Sequence, residues 1–325
     1  MIRFGIIGRN FVVDWMLGAM AEVSGMQPVA VCSRSEATGR EFAEKYGLPH
    51  VFTSVEEMAA SDCIDAVYIA SPNYCHFAHA DICLRAGKHV LCEKPATLTA
   101  DETRKLVALA REKGVIFLEA MRFVFDDALD IIEKNLPRIG ALRRAAVDFS
   151  QYSSRYDRIR AGEQNINAFT PALGNAAIMD MGCYCVHGIV RLFGKPKSVK
   201  ASAVKLDSGF EASGVVLMEY EGFTAEAIYS KVAQQVSPTT FLGEDGAIML
   251  DNINRTKRVW LEMRKGDEED LGYEEKLPIN MTCVLREFAG YVASGEQPEK
   301  RNQDSIWTME VIDEARRQTG VTFAE

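Results

Sequence analysis

Long apolar runs are missing from this chain of 325 residues; no segment reaches the roughly 20 consecutive apolar residues that a membrane span needs. The opening MIRFGIIGRN lacks a charged region, a following apolar core and a small-residue cleavage site. Its apolar stretch therefore reads as a buried first strand rather than a signal sequence. An excess of positive charge is missing too. With 46 acidic against 37 basic residues the net charge is −9. This disfavours nucleic acid and membrane surfaces as partners, because polyanions are met by clustered Lys and Arg. The eight cysteines show neither paired C-x-x-C elements nor Cys/His spacing, so no metal is expected. Most lie in apolar runs such as VAVCSR and HVLCEK, where a reduced thiol acts as a small hydrophobe, and a cytoplasmic chain is the plain reading. Low-complexity segments and internal repeats are absent as well.

What is present is ordinary for a globular protein, 47% hydrophobic and 26% charged, and long enough for two domains. Residues 1–120 alternate short apolar strands with amphipathic helices. Strands are expected at Arg3–Ile7, Pro28–Ser33, His50–Phe52, Asp65–Ala70, Lys88–Cys92 and Val115–Glu119. Helices are expected at Phe11–Glu22, Ser35–Tyr46, up to Arg85, and Ala100–Lys113, with Gly47, Gly87 and Gly114 as stops. Continuous apolar strands between helices imply α/β architecture, a doubly wound parallel sheet of the Rossmann type.

From about residue 121 to 325 the pattern becomes α+β. A helix near Asp126–Asn135 precedes strands at Arg143–Tyr152, Ser198–Lys205, Gly214–Tyr220, Phe223–Ser230, Thr239–Leu242, Ala247–Leu250 and Arg258–Arg264. Short turns such as Tyr220-Glu221-Gly222-Phe223 predict a largely antiparallel, open-faced sheet. Helices at Met281–Ser294 and Gln303–Thr319 close the chain. The acidic run Gly266–Asp270 reads as a solvated turn, since it lacks the alternation and terminal Glu of a calcium loop.

The stretch Gly8-Arg9-Asn10-Phe11 follows the first strand and opens the first helix, where a dinucleotide fingerprint belongs. Of the three glycines of Gly-x-Gly-x-x-Gly only Gly8 is present. Asn10 replaces the second, tolerating positive φ and serving as an N-cap. The helix still offers free N–H groups and a partial positive charge to a diphosphate. The second strand ends in Ser33-Arg34-Ser35 with no acid at its tip to accept from a ribose 2′-hydroxyl. Arg34 and Ser33 suit a 2′-phosphate instead, so NADP(H) is expected over NAD(H), which stays possible.

Two further elements are Ser71-Pro72-Asn73-Tyr74-Cys75-His76, after the fourth strand, and Glu93-Lys94-Pro95, after the fifth. With Gly182-Cys183-Tyr184 later in the chain, they resemble the glucose–fructose oxidoreductase / inositol dehydrogenase / MocA (Gfo/Idh/MocA) family along essentially the whole length. The resemblance implies an NAD(P)-dependent oxidoreductase moving a hydride between cofactor and a secondary alcohol of a sugar, polyol or diol. It also implies a C-terminal helix, about 303–319, packed on the first domain. Lys94 sits at the carboxyl end of a central parallel strand, where ligands of such sheets bind, and Pro95 restricts it to an extended conformation. A partly desolvated lysine there can share in removing the proton of the substrate hydroxyl.

On a helix from Ala176, Asp180 and Tyr184 stand four residues apart on one face. The resemblance places both in the substrate pocket, Tyr184 as acid/base with Lys94, and Asp180 orienting a hydroxyl or Lys94. A Tyr at 184 is similar to the glucose–fructose oxidoreductase and dihydrodiol dehydrogenase branches rather than inositol dehydrogenase. His187, one turn on, reads as structural. Thinner candidates are His76 at the nicotinamide end or capping a turn, Arg122 toward a substrate anion or cofactor phosphate, and Arg155 in the substrate pocket or a solvated loop. Competing readings are a glycosidase that retains its nicotinamide and a non-catalytic NADP(H) sensor. An open sheet face further predicts a homodimer or higher homo-oligomer.

Overall fold

Helix-end signals decide much of the first unit's local structure. Ser35 and Ser54 cap helices through their side chains, Thr99 with Glu102 forms a capping box, and Gly47 and Gly114 end helices in the left-handed conformation. The computed structural model describes residues 1–164, 166–275 and 281–323. It divides into two units, Met1–Phe125 with Ile279–Ile306, and Asp126–Pro278 with Trp307–Glu325.

The first unit runs β1 (Ile2–Ile7), α1 (Phe11–Glu22), β2 (Met26–Cys32), α2 (Glu36–Tyr46), β3 (His50–Phe52), α3 (Val55–Ala60), β4 (Ala66–Ile69), α4 (His76–Arg85), β5 (His89–Cys92), α5 (Ala100–Lys113) and β6 (Phe117–Glu119). All pairings are parallel, in the order β3-β2-β1-β4-β5-β6. Strand order therefore reverses between β1 and β4, which is where ligands bind in such sheets. The α3 helix was not expected from sequence, although Ser54 and Glu57 stand at capping-box spacing at its start. Burial pushes Cys32 up to about 11 and Cys83 up to about 12, so these thiols are unreactive packing groups.

The second unit holds α6 (Asp127–Asn135), β7 (Leu142–Ser150), α7 (Tyr156–Arg160), α8 (Cys183–Phe193), β8 (Ser198–Lys205), β9 (Glu211–Glu219), β10 (Thr224–Ser230), β11 (Thr239–Gly243), β12 (Gly246–Leu250), β13 (Val259–Met263) and β14 (Glu268–Asp270). Its sheet is ordered β14-β13-β12-β11-β7-β10-β9-β8, antiparallel except for the parallel β7–β10 pair. The β9–β10 turn closes as expected: Tyr220 N–H donates to Phe223 O at 3.0 Å, with Gly222 at φ +79°. The inner sheet face packs on α8, and Arg191 of α8 ties to Asp130 and Glu133 of α6 at 2.7 and 3.0 Å. The stretch Pro171–Phe193 is long and apolar enough to cross a membrane, but 83% of its apolar window is buried inside the protein. It is a core helix.

Two expectations change. The acidic run is a solvated turn only at Gly266 and Asp267: Glu268–Asp270, also exposed, form an edge strand against β13, where Arg258 pairs with Glu268 and Asp270 and Arg138 with Glu269. Helix α9 (Met281–Ser294), placed with the second domain from sequence, belongs to the first unit's core. There Phe288 meets Phe4 at 5.7 Å, and Val284 and Leu285 join the β1–α1 cluster. Helix α10 (Glu299–Thr319) is shared, with residues 299–306 counted in the first unit and 307–319 in the second.

Gly8 has φ +116°, and a Cβ there would lie 2.4 Å from Ala70 O. Gly8→Ala should therefore cost at least about 2 kcal/mol from left-handed strain and backbone collision. Gly18→Ala, in α1 with nothing within 4 Å, should instead add up to about 1 kcal/mol from helix propensity. Urea unfolding midpoints of the two variants check this opposition of sign.

Candidate functional site

The first unit gathers its candidates at the carboxyl ends of its strands. After β1, Asn10 has φ −82° and caps α1, its Oδ1 accepting from Val12 and Val13 N–H while its Nδ2 donates to Ala70 O at 3.0 Å. It works as a cap, and positive φ plays no part. The cap also occupies two first-turn N–H groups that were expected to be free for a diphosphate. Phe11 is exposed, edge-on to Trp15 at 4.9 Å.

After β2, the buried Ser33 hydroxyl lies 2.9 Å from the Thr38 hydroxyl, which also meets Ser35 Oγ at 2.8 Å. Arg9 reaches the same place, Nη1 donating to Thr38 O at 3.3 Å. The exposed Arg34 stands between Ser33 and Ser35, and the nearest acid in sequence, Glu36, is engaged by Arg40 at 2.5 Å. Thr38 carries no sequence signal of its own; its place depends on α2 starting at Glu36.

After β4 and β5, two loops are clasped by buried polar groups. His76 places Nε2 2.8 Å from Ser71 O and Nδ1 2.9 Å from Pro95 O, and is 1% exposed. Both ring nitrogens face backbone carbonyls, so His76 links the loops after β4 and β5. Burial pushes its pKa down, against the pull of the two carbonyls. Ser71 Oγ meets His79 Nδ1 at 3.0 Å, Pro72 leads into the short helical turn Asn73–Cys75, and Asn73 opens that turn.

The loop carrying Lys94 is pinned on its other side by Glu119, whose Oε1 accepts from Ala96 N–H at 2.9 Å and Oε2 from Ser305 Oγ at 2.6 Å. Glu93 accepts from the Tyr68 hydroxyl at 2.6 Å, and burial pushes its carboxyl up, opposed by that bond and by the charges of Lys94 and Arg122. Lys94 itself is half-buried at the end of β5, and the Lys94–Pro95 peptide is cis.

The second unit carries the other group. Asp180 lies in a π-helical turn, Ile178–Gly182, that runs into α8. The regular four-residue offset from Asp180 to Tyr184 is therefore interrupted, and the two side chains differ in setting. Tyr184 is 5% exposed with its ring edge-on to Phe149 at 5.3 Å, whereas the Asp180 side chain is 42% exposed. Asp180 Oδ2 accepts from the Nζ of Lys231 at 2.7 Å, a residue the sequence reading missed. Lys231 follows β10 directly and reads locally as the wet end of a strand. His187 is buried, and Arg155 is exposed at the head of α7. Among the described residues no three His, Cys, Asp or Glu gather as a metal site.

A parallel sheet of order 3-2-1-4-5-6 with its polar loops on one edge, followed by an open antiparallel sheet, is the layout of a two-domain nicotinamide-dependent oxidoreductase. The chain belongs to the GFO/IDH/MocA family. Residues 2–121 match the oxidoreductase family's NAD-binding Rossmann fold and residues 132–249 its C-terminal domain. Scyllo-inositol 2-dehydrogenase (NADP(+)) IolU of Bacillus subtilis is 40% identical, over 99% of this chain and 98% of the relative. The trans-1,2-dihydrobenzene-1,2-diol dehydrogenase of Mus musculus is 28% identical over 100% and 98%. A structure of the 3-ketoreductase KijD10 from Actinomadura kijaniata superposes with TM-score 0.85 at 24% identity, covering 98% of both chains. An inositol dehydrogenase is thus more similar than a diol dehydrogenase, so Tyr184 does not by itself separate the chain from the inositol branch.

Glu211 supports the π turn: its Oε2 accepts from Ile178 N–H at 2.9 Å, and burial pushes its carboxyl from 4.5 up to about 7. A raised carboxyl pKa stabilises the fold fully below about pH 4.5, and this contribution is lost as pH rises through about 7. Across that window the loss is about 3 kcal/mol at most. Glu211→Gln keeps an acceptor for Ile178 and never ionises. Its melting temperature relative to the parent should rise by several degrees from pH 5 to pH 8; a constant difference would show that Glu211 does not titrate in this window.

Proposed function

We propose that this oxidoreductase transfers a hydride reversibly between NADP(H) and a secondary alcohol or ketone of a sugar, polyol or diol, with cyclic polyols as the leading class. The observation that carries the reading is Lys94, half-buried at the end of β5 on a loop pinned by His76 and Glu119. The full-length similarity to an NADP(+)-dependent inositol dehydrogenase supports both cofactor and substrate class.

The side-chain-free turn at Gly8 fits a closely approaching diphosphate, with Arg9, Asn10 and Phe11 beside it, and Ser71, Pro72 and Asn73 on the neighbouring strand end. Arg34 and Ser33, with Arg9 close to Thr38, fit a 2′-phosphate, since guanidinium groups bind phosphate by paired charge-assisted hydrogen bonds. Arg122 and Glu93 set the charge around Lys94. The bound nicotinamide supplies the hydride acceptor or donor. The chain's own groups handle the proton: Lys94 holds the substrate oxygen, Tyr184 takes or returns its proton, and Asp180 orients the hydroxyl. Arg155 is a further substrate contact.

Lys94→Ala should bind NADPH within about twofold of the parent by nicotinamide fluorescence, while turnover of the best sugar, inositol or diol falls at least 1000-fold, the scale expected when a group acting in the transition state is lost. Unchanged turnover at equal NADPH affinity would remove Lys94 from the mechanism. Hydrolysis of a glycoside without net NADPH formation would point to a retained nicotinamide.

The eight free thiols favour a reducing, cytoplasmic setting. The outer face of the second unit's sheet carries Val215, Leu217, Ile228, Leu242 and Trp260 around the Arg144–Glu226 pair, and none of these is fully buried. Apolar surface of that extent is covered in most soluble proteins, and a second copy of this chain is the proposed cover. Light scattering should give at least twice the 36.1 kDa of one chain, and Ile228→Glu should return the mass to that of a monomer.

A further inference from the structure

Lys231 is 5% exposed. Taking an ammonium out of water costs several kcal/mol unless acceptors replace the lost hydration. Here Nζ donates to Asp180 Oδ2 at 2.7 Å and to Ala168 O at 3.1 Å, and it lies 5.1 and 5.8 Å from the ring centres of Phe169 and Phe210. Those rings belong to a small apolar cluster with Ile166 and Ala212. A methionine would fill the same space without burying a charge, and a buried ion pair is seldom the most stable choice at such a site. The placement of this cation asks for a reason other than stability.

The partner supplies one. Asp180 stands in the π turn, a kind of helix irregularity that recurs at functional sites. Its turn is fixed from two further sides: Glu211 accepts from Ile178 N–H, and Gly182 packs so close to Tyr229 that a Cβ would lie 3.0 Å from the ring. Backbone and carboxylate are therefore held by different groups. Lys231 takes Oδ2 from the buried side, while 42% of the Asp180 side chain stays open to solvent.

We propose that Lys231 is a positioning residue for the reaction. It locks the Asp180 carboxylate in one rotamer, so that Asp180 meets a substrate hydroxyl already oriented. This rests on the reading of Asp180 as a substrate group. Preorganisation of this kind matters because a group displaced by even about 1 Å loses much of its effect on rate.

The test is a double-mutant cycle of Lys231→Met with Asp180→Asn, and Lys231→Arg beside it. Turnover is read on the fastest substrate among scyllo-inositol, myo-inositol, D-glucose and trans-1,2-cyclohexanediol, with NADPH affinity measured for every variant. Lys231→Met should lower kcat/KM at least 30-fold, most of it in kcat, with NADPH affinity within twofold of the parent. Lys231→Arg should recover part of that loss. In the Asp180→Asn background Lys231→Met should cost less than threefold more, because its route to the reaction is already gone.

Losses that multiply, or a Lys231→Met enzyme within threefold of the parent beside a crippled Asp180→Asn enzyme, would overturn the positioning role alone. An unimpaired Asp180→Asn enzyme, or no turnover of any of the four compounds by the parent, would instead remove the reading on which it rests. If Lys231→Met does not fold, Lys231→Gln takes its place in the cycle. Failure of both to fold, with Asp180→Asn folded, would assign Lys231 to the fold rather than to the reaction.

Discussion

A backbone amide that leaves a helix or a strand ladder still has to find an acceptor once water is excluded. The irregular segments of this chain carry its candidate chemistry, and three of them have an acidic or amide side chain delivered to their backbone amides. Glu119 takes the amide of Ala96 beside Lys94, Glu211 takes that of Ile178 at the turn holding Asp180, and Asn10 takes those of Val12 and Val13. Without these acceptors the loop after β5 and the π turn would each bury an orphaned donor, costing on the order of 1–3 kcal/mol. Both carboxyls are pushed up by burial. The loop after β5 in the first unit and the π turn in the second are thus each held by a carboxyl that is itself poorly solvated.

The first third of the chain was largely legible in its sequence because its signals are local. A cap, a stop glycine and an apolar run decide an element within a few residues, and α1 and α5 fall where the spacing puts them. Most strands of the second half were legible for the same reason, as period-two runs between turns. What stayed hidden depends on distant partners. The single-residue expansion that makes Ile178–Gly182 a π turn has no local spelling, and it alters the helix face on which Asp180 and Tyr184 were expected to align. The Lys231–Asp180 pair spans 51 positions. The acidic run after Gly266 read as a turn because its compensating arginines, Arg138 and Arg258, lie elsewhere in the chain. Helix α9 is amphipathic from sequence, but nothing in that pattern says which sheet receives its apolar face.

His76 shows how a motif residue can serve the geometry of loops. Its position after β4 is what the family resemblance led one to expect, and a histidine near a cofactor edge invites a catalytic or binding role. The geometry commits both nitrogens to the carbonyls of Ser71 and Pro95. Its contribution is then to the spacing of two loops, with both carbonyls bonded only in the cation, since a neutral imidazole has a single N–H.

Asn10 has a consequence that runs in the same direction. By capping α1 with its own side chain it takes up N–H groups that a glycine at this position would leave to a diphosphate. Weaker binding at the helix end shifts the burden to charged side chains. Arg9 reaches Thr38 O beside the end of β2 and Arg34 stands exposed there, while Glu36, the acid closest in sequence, is already paired with Arg40. A cofactor carrying an additional phosphate gains most from such an arrangement, since its extra charge falls where the cations are. The missing fingerprint glycines and the missing acid at the tip of β2 thus accompany two nearby arginines, the setting on which the proposed NADP(H) preference rests. On the proposed reading the dinucleotide is held less through helix amides and more through arginine, and a 2′-phosphate makes that exchange favourable.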